Sequence, residues 1–251
     1  SNTVRIEGEN GALAGVLEMP DDAPRAYALF AHCFTCGKDF LPEKRITRHL
    51  ADRGIATLRI DFAGLGKSEG EFKDSSFLTN LDDLVRAADW LRDHLAPPKL
   101  LVGHSLGGAA VLAAADEIPG IRAGATIGAP ADPAHVTELF GSRIDEIRDR
   151  GEAEVKLAGR SFVIGRRFLD DLETLDHLEE LESLRDIDVL ILHAPKDTTV
   201  GIDNATRIFT ALKHPKSFVS LGEADHLLSD PKDAEYAASL IEVWARRAIQ
   251  G

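Results

Sequence analysis

Leu100-Leu101-Val102-Gly103-His104-Ser105-Leu106-Gly107-Gly108-Ala109-Ala110 is the stretch whose reading decides the fold. An apolar run enters it and an Ala/Leu-rich run leaves it. Gly-X-Ser-X-Gly stands between them, with Ser105 at the centre. The pattern reads as strand, tight turn, helix. Gly103 and Gly107 permit so sharp a turn because neither carries a Cβ to strike neighbouring backbone. The turn lifts the Ser105 hydroxyl above the carboxyl end of the strand. The helix starting near Leu106 then aims its free N–H groups at whatever that hydroxyl attacks. Alone, the five-residue pattern is a weak signal, since Gly and Ser are common; the flanking strand and helix give it weight. An inert Ser on a plain Gly-rich turn is the competing reading.

Outward from this turn the chain alternates strand and helix. Residues 4–6 and 13–17 flank Asn10-Gly11 and read as a hairpin. Residues 26–31 are a near-continuous apolar run, as a strand buried on both faces requires. A helix over 42–53 stops at Gly54; a strand over 55–60 follows. Residues 78–95 form an amphipathic helix with Leu81, Leu84, Val85, Ala88 and Leu91 inward. After the turn the helix runs to about 118. Further strands are expected at 123–127, 189–193 and 218–221, with helices over 202–212 and 233–248. Such alternation implies a mostly parallel central sheet with helices on both faces. We expect one domain over 1–251, its core formed by 1–130 and 189–251.

The interval of about 131–188 breaks the alternation. It is charged and helical, with 155–157 and 162–164 as a small hairpin around Ala158-Gly159-Arg160. Lying beyond the carboxyl ends of two strands, it is placed as a small cap insertion over Ser105. Phe140, Phe162 and Phe168 are its candidate substrate contacts; a peripheral packing element is the alternative.

Composition narrows the function. The chain has 251 residues, 44% of them apolar, enough for a core that needs neither metal nor disulfide. A net charge of -13 argues against nucleic acid and anionic membrane as partners. No apolar run approaches the ~20 residues of a membrane span. Two cysteines do not make a disulfide framework, so a reducing, cytoplasmic setting is the default expectation. The chain opens at Ser1-Asn2 without Met, which leaves a trimmed leader or further domain open.

A serine hydroxyl attacks well only when a base takes its proton. Among nine histidines, His226 lies between the last strand and the last helix, in a loop that can reach Ser105. His49, His94 and His214 read as surface residues, His193 as structural. His135 and His177 fall in the insertion, and His104 points away from its neighbour by alternation. The carboxylate that orients the base should follow the preceding strand, where Asp197 stands, with Asp203 behind it as the backup. The order Ser105, Asp197, His226 is the third agreement. The oxyanion formed on attack needs two fixed N–H donors. Leu106 should supply one and Phe34, in the loop after 26–31, the other.

Cys33 and Cys36 form Cys-X-X-Cys in that same loop. Two small residues packing a tight turn is the favoured reading; a redox pair that alters the oxyanion site is the alternative. No second Cys/His pair has zinc-ligand spacing, so no metal and no cofactor is expected. The Gly-rich loop over 61–70 lacks a true phosphate-loop frame; Asp61 is expected to tie it by hydrogen bonds.

His32-Cys33-Phe34-Thr35-Cys36-Gly37-Lys38-Asp39, Asp61-Phe62-Ala63-Gly64-Leu65-Gly66, Gly103-His104-Ser105-Leu106-Gly107-Gly108, Gly128-Ala129-Pro130-Ala131-Asp132-Pro133-Ala134-His135-Val136 and His214-Pro215-Lys216-Ser217-Phe218-Val219 together resemble the α/β-hydrolase half of bacterial two-part proteins. In those a hydrolase is joined to an OsmC-type thiol-peroxidase domain. The likeness covers essentially the whole chain. It implies the α/β-hydrolase fold and serine carboxylesterase activity on small to medium acyl esters, with Ser105, Asp197 and His226 as triad. It also implies an OsmC-type domain as native partner. The peroxidase cysteines of that domain have no counterpart among these residues, and Cys33 and Cys36 do not replace them. A thioesterase, a peptidase, or a weakly catalytic hydrolase-shaped module are the rival readings.

Overall fold

The computed structural model describes residues 1–157 and 159–249. In chain order it runs β1 (Asn2–Ile6), β2 (Leu13–Glu18), β3 (Ala26–Ala31), α1 (Leu41–Asp52), β4 (Ile55–Ile60), α2 (Phe77–His94), β5 (Leu100–His104), α3 (Leu106–Ala114) and β6 (Ala123–Ile127). After an inserted stretch come β9 (Asp188–His193), α7 (Asp203–Ala211), β10 (Lys216–Ser220) and α8 (Pro231–Ile249). The insertion holds a 3-10 stretch (Pro133–Phe140), α4 (Arg143–Arg150), β7 (Glu152–Leu157), β8 (Arg160–Gly165), α5 (Arg166–Glu173) and α6 (His177–Ser183).

Eight strands form one sheet in the order β1-β2-β4-β3-β5-β6-β9-β10. β1 and β2 pair antiparallel, as does β2 with β4; every other neighbour is parallel. The central strands are apolar on both sides because helices cover both. On one face Leu29, Leu58, Ile60 and Leu101 meet α2 and α3 through Phe77, Leu84, Leu91 and Val111. On the other, Phe30, Ile55, Val102 and Leu192 meet α1 and α8 through Ile46, Leu50, Ala237 and Ile241. The expected α/β-hydrolase architecture is the observed one: a mainly parallel sheet with helices on both faces.

The elements differ from expectation chiefly at their ends. The hairpin connection spans 7–12 rather than a bare Asn-Gly turn. α3 stops at Ala114, four residues short of the expected end, and tightens into turns closed by Ala115 N–H to Leu112 O and Glu117 N–H to Ala114 O. Pro119 ahead disfavours helix at Ile118. β10 starts two residues earlier than expected, and its Phe218 is exposed because it is an edge strand. The expected small hairpin is β7–β8, paired Val155 with Phe162 and Leu157 with Arg160; Ala158 of its turn lies outside the described residues. α6 packs on α3 and α7, so the end of the insertion lies against those helices.

Candidate active site

Ser105 sits at φ 55, ψ -125, between β5 and α3. A β-carbon on Gly103 would land on Gly107 backbone, and one on Gly107 would land on the carbonyls of Ala31 and His32. The two glycines therefore allow the helix to close against both strands, while Ser105 itself carries the strained backbone. Its amide donates to Ile127 O at 2.8 Å, which ties the turn to β6. Of four non-glycine residues with left-handed φ among the described residues, Thr35 and Ser105 line this site and Leu228 follows two positions after His226. Strain of this kind persists only where surrounding structure enforces it.

His226 Nε2 lies 3.0 Å from Ser105 Oγ, and Nδ1 lies 2.6 Å from Asp197 Oδ2. Asp197 is 7% exposed. Its Oδ1 accepts from Thr199 N–H and Val200 N–H, both at 2.8 Å. Burial pushes this carboxyl up, but the hydrogen bonds from His226 and Val200, the imidazole charge and the Thr199 bond outweigh it and hold it below the ordinary value. An ionised Asp197 accepts only, so Nδ1 carries the imidazole proton and Nε2 faces the serine as acceptor. Asp203, the backup carboxylate, instead opens α7. His193 is fully buried, donates Nε2–H to Val200 O at 2.8 Å, and is kept neutral by burial.

The loop after β3 carries Cys33 to Cys36. Cys36 N–H donates to Cys33 O at 3.0 Å, and Cys33 N–H to the buried Glu43 Oε1 at 3.3 Å. The favoured reading of these cysteines as unpaired packing residues is corrected here: their sulfurs are joined, with Cα atoms 5.2 Å apart. A spacing of three lets a turn bring the side chains together, and nothing in the spacing itself decides whether they bond. Among the described residues Cys33, Cys36 and Glu43 are also the one cluster with metal-ligand proximity, but sulfurs bonded to each other offer no thiolate to a metal. Asp61 does tie its own loop, accepting from Lys67 N–H at 2.9 Å. It also crosses to the cysteine loop, accepting from Lys38 N–H at 2.6 Å and pairing with Lys38 Nζ at 3.0 Å. Burial alone would lower the Lys38 ammonium; hydrogen bonds to Asp61 and Asp39 and their charges raise it instead.

Ser105, His226, Phe34, Leu106, Cys33 and Cys36 all line one cavity of about 510 Å³. The insertion contributes His135, Val136, Leu139, Lys156, Leu157 and Arg160 to the same wall. Two polar contacts hold it there. His135 Nε2–H donates to Thr199 O at 2.9 Å, and Arg160 donates Nη2–H to Thr35 O. Of the three expected phenylalanine contacts, Phe140, Phe162 and Phe168, none lines this cavity, though Phe168 lines a smaller one beside it that shares Cys33, Phe34 and Leu106. Phe140 and Phe168 are buried against the Phe34 ring, with centroids at 6.2 and 5.5 Å, and lie 5.7 Å from each other. Phe162 packs on Phe72 beneath Arg160. The rings of Phe140 and Phe168 back the loop after β3, and the insertion turns Val136, Leu139 and Leu157 to the space.

Two contributors escaped the sequence reading. His104 donates Nε2–H to His226 O at 2.7 Å, so the residue beside the serine holds the loop of the imidazole. Gly128, with φ +56, lies where a β-carbon would stand 3.2 Å from Asp197 Oδ2 and 3.3 Å from His226 Nδ1. A glycine directly after β6 was visible, but its opposite number was not.

The fold and this serine-centred cleft define a class, and the chain belongs to the alpha/beta hydrolase family, whose model matches residues 28–248. Its fold is close to that of the esterase domain of a Rhodothermus marinus protein, with 45% identity over 99% of this chain and 98% of that one, at a TM-score of 0.81. Est1E of Butyrivibrio proteoclasticus, solved with ferulic acid bound, shares the fold at a TM-score of 0.80 and 21% identity, over 99% of this chain and all of that one. A monoacylglycerol lipase of Mycolicibacterium smegmatis is 30% identical over 124 residues, 46% of this chain and 41% of the lipase. The uncharacterised YfhR protein of Salmonella typhimurium is 27% identical over 71% of this chain and 57% of its own length. The chain thus matches about half the length of these two curated relatives. No helix among the described residues is long and apolar enough to cross a membrane.

Proposed function

We propose that this hydrolase is a serine carboxylesterase that cleaves small to medium acyl esters through an acyl-enzyme. The carrying observation is the line Ser105–His226–Asp197, bonded at 3.0 and 2.6 Å and opening into the cavity. Likeness to an esterase domain across nearly the whole chain supports the ester bond as target.

In this reading Ser105 Oγ attacks the ester carbonyl while His226 Nε2 takes its proton. Asp197 holds the imidazole in the needed tautomer and balances the positive charge that forms. The developing oxyanion is met by the Phe34 and Leu106 N–H groups, at the loop after β3 and the start of α3. His226 then returns the proton to the leaving alcohol, and water repeats the cycle on the acyl group. Val136, Leu139 and Leu157 supply an apolar wall, which favours an uncharged acyl chain. The stretch from 131 to about 175 acts as the cap over that wall, on a core made by the rest of the chain. The OsmC-type partner domain belongs to the same proposal, on the segments quoted above.

The test is active-site labelling with a fluorophosphonate, followed by p-nitrophenyl esters of increasing acyl length. Labelling at Ser105, and a fall in ester turnover of several orders of magnitude in Ser105→Ala, are expected. Unlabelled Ser105, or ester turnover that survives the substitution, overturns the reading. Faster turnover of thioesters or anilides than of matched esters would move the chain to a thioesterase or peptidase.

A further inference from the structure

The sulfurs of Cys33 and Cys36 are bonded, and both residues line the cavity onto which Ser105 opens. Phe34, placed above as an oxyanion donor, lies inside the four-residue ring that this bond closes. The two cysteines are not equivalent: Cys33 is 3% exposed, whereas Cys36 is half-buried. Beside the inner sulfur stands Glu43, 1% exposed, with its Oε2 lacking a hydrogen-bond partner. The two sulfurs and a Glu43 carboxylate oxygen lie within 4.8 Å of one another. Oε1 of this carboxylate accepts from Cys33 N–H, so Oε2 is the oxygen left to take a proton from the neighbouring sulfur.

We propose that Cys33–Cys36 is a thiol–disulfide exchange site, served by a dithiol that enters through the ester cavity, and that its state sets the ester turnover. Cys36 is the sulfur attacked. A thiolate of the dithiol bonds to Cys36 Sγ, the Cys33–Cys36 bond breaks, and Cys33 leaves with the electron pair and takes up a proton. The second thiol of the reagent then displaces Cys36 and closes the reagent's own disulfide. Two electrons and two protons pass from the dithiol to the cysteine pair. In the closing direction the Cys33 thiol yields its proton to the Glu43 carboxylate and attacks the mixed disulfide at Cys36. The closed ring holds the Phe34 N–H in place; the opened ring leaves it held only by the contacts of its neighbours. The kinetic half of this inference rests on the esterase reading, and the exchange half does not.

The experiment uses the full chain under native conditions. The protein is incubated with dithiothreitol or with reduced glutathione, trapped with iodoacetamide, and read by intact mass and peptide mapping. Dithiothreitol should open the pair completely, with Cys36 tagged ahead of Cys33. Glutathione should open it less, since only a dithiol completes the exchange within one encounter. Fluorophosphonate should label Ser105 in both states, which separates failure here from failure of the esterase reading. Ester kcat should fall about three- to thirty-fold on opening, short of the ~10²–10³ for outright loss of one donor, and return with oxidised dithiothreitol. Cys36→Ser should match the opened protein and ignore dithiol. Glu43→Gln should slow reclosure about tenfold, while Glu43→Asp, which keeps a carboxylate, should slow it less. A pair that native protein never opens to excess dithiothreitol, or Cys33 tagged first, overturns the exchange site. Equal kcat in the two states, with Ser105 still labelled, overturns the coupling.

Discussion

The Nε2–H of His104 reaches the main-chain oxygen of His226 at 2.7 Å, so the neighbour of Ser105 anchors the loop that carries His226. The His104 ring is 1% exposed, and on its other side Nδ1 lies 3.7 Å from Glu43. It touches no space that substrate could fill. In the proposed mechanism it is a positioning residue.

His104→Ala should therefore lower kcat about tenfold and leave KM nearly unchanged, because small misplacements of a base are expensive. His104→Gln keeps an N–H at similar reach and should recover part of the loss. Steady-state kinetics on a p-nitrophenyl ester, with melting curves for both variants, reads the difference. Equal kcat for wild type and His104→Ala would remove the anchoring role.

Gly128→Ala tests crowding at the acid–base pair. Its φ of +56 costs an L-residue about 1–2 kcal/mol, so Tm should drop by a few degrees. The added methyl also presses on Asp197 Oδ2 and His226 Nδ1, so kcat should fall about tenfold or more. A variant that loses stability but keeps its turnover would show that the pair yields without harm.

Asp197→Asn should keep the fold and reduce kcat by about 10⁴. The amide cannot match an ionised carboxylate that accepts from two backbone N–H groups and the imidazole together. It also favours the tautomer with the proton on Nε2, where it cannot serve Ser105. Rapid fluorophosphonate labelling of Asp197→Asn at the wild-type rate would contradict this.

Asp83, on α2, offers a prediction about stability. It is 2% exposed and accepts from Ala63 N–H at 2.9 Å. Burial pushes its pKa up to about 7, against the opposing hydrogen bond and with help from the Asp82 charge. Unfolded, the same group titrates near 3.8. Between those values the folded chain holds a proton that the unfolded chain has lost. The stability this gives is complete below pH 3.8 and is lost as pH rises through about 7. Asp83→Asn, neutral at every pH and still an acceptor for Ala63, should gain about 1–3 kcal/mol on wild type between pH 5 and pH 8. Denaturant melts at the two pH values measure it; a constant difference would refute it.

How much of this was legible beforehand depends on how local each signal is. The turn at Ser105 announces itself because Gly103 and Gly107 must flank it and apolar runs must enter and leave. The strands at 26–31 and 123–127 are legible because burial on both faces leaves almost every position apolar, Tyr27 and Thr126 being the exceptions. His226 and Asp197 follow from loop order alone, and the structure brings them to Ser105. Which side chains face the cavity is not local: Phe140 and Phe168 went inward to Phe34, while Leu139 and Leu157 took the wall. Likewise, no spacing tells that the inward ring of His104 meets a carbonyl 122 positions later. The sulfur bond between Cys33 and Cys36 is a choice between two states of one turn, which composition had weighed the other way.

At the cavity wall the inserted stretch stands on two feet, His135 on Thr199 beside Asp197 and Arg160 on Thr35 in the cysteine loop, with Lys73–Glu152 a further tie away from it. The roof of the chamber therefore braces the walls on either side of the serine. A transplant that grafts another roof between β6 and β9 to alter acyl preference must carry both feet. With one missing, the graft would change selectivity and slacken the machinery beneath it at once.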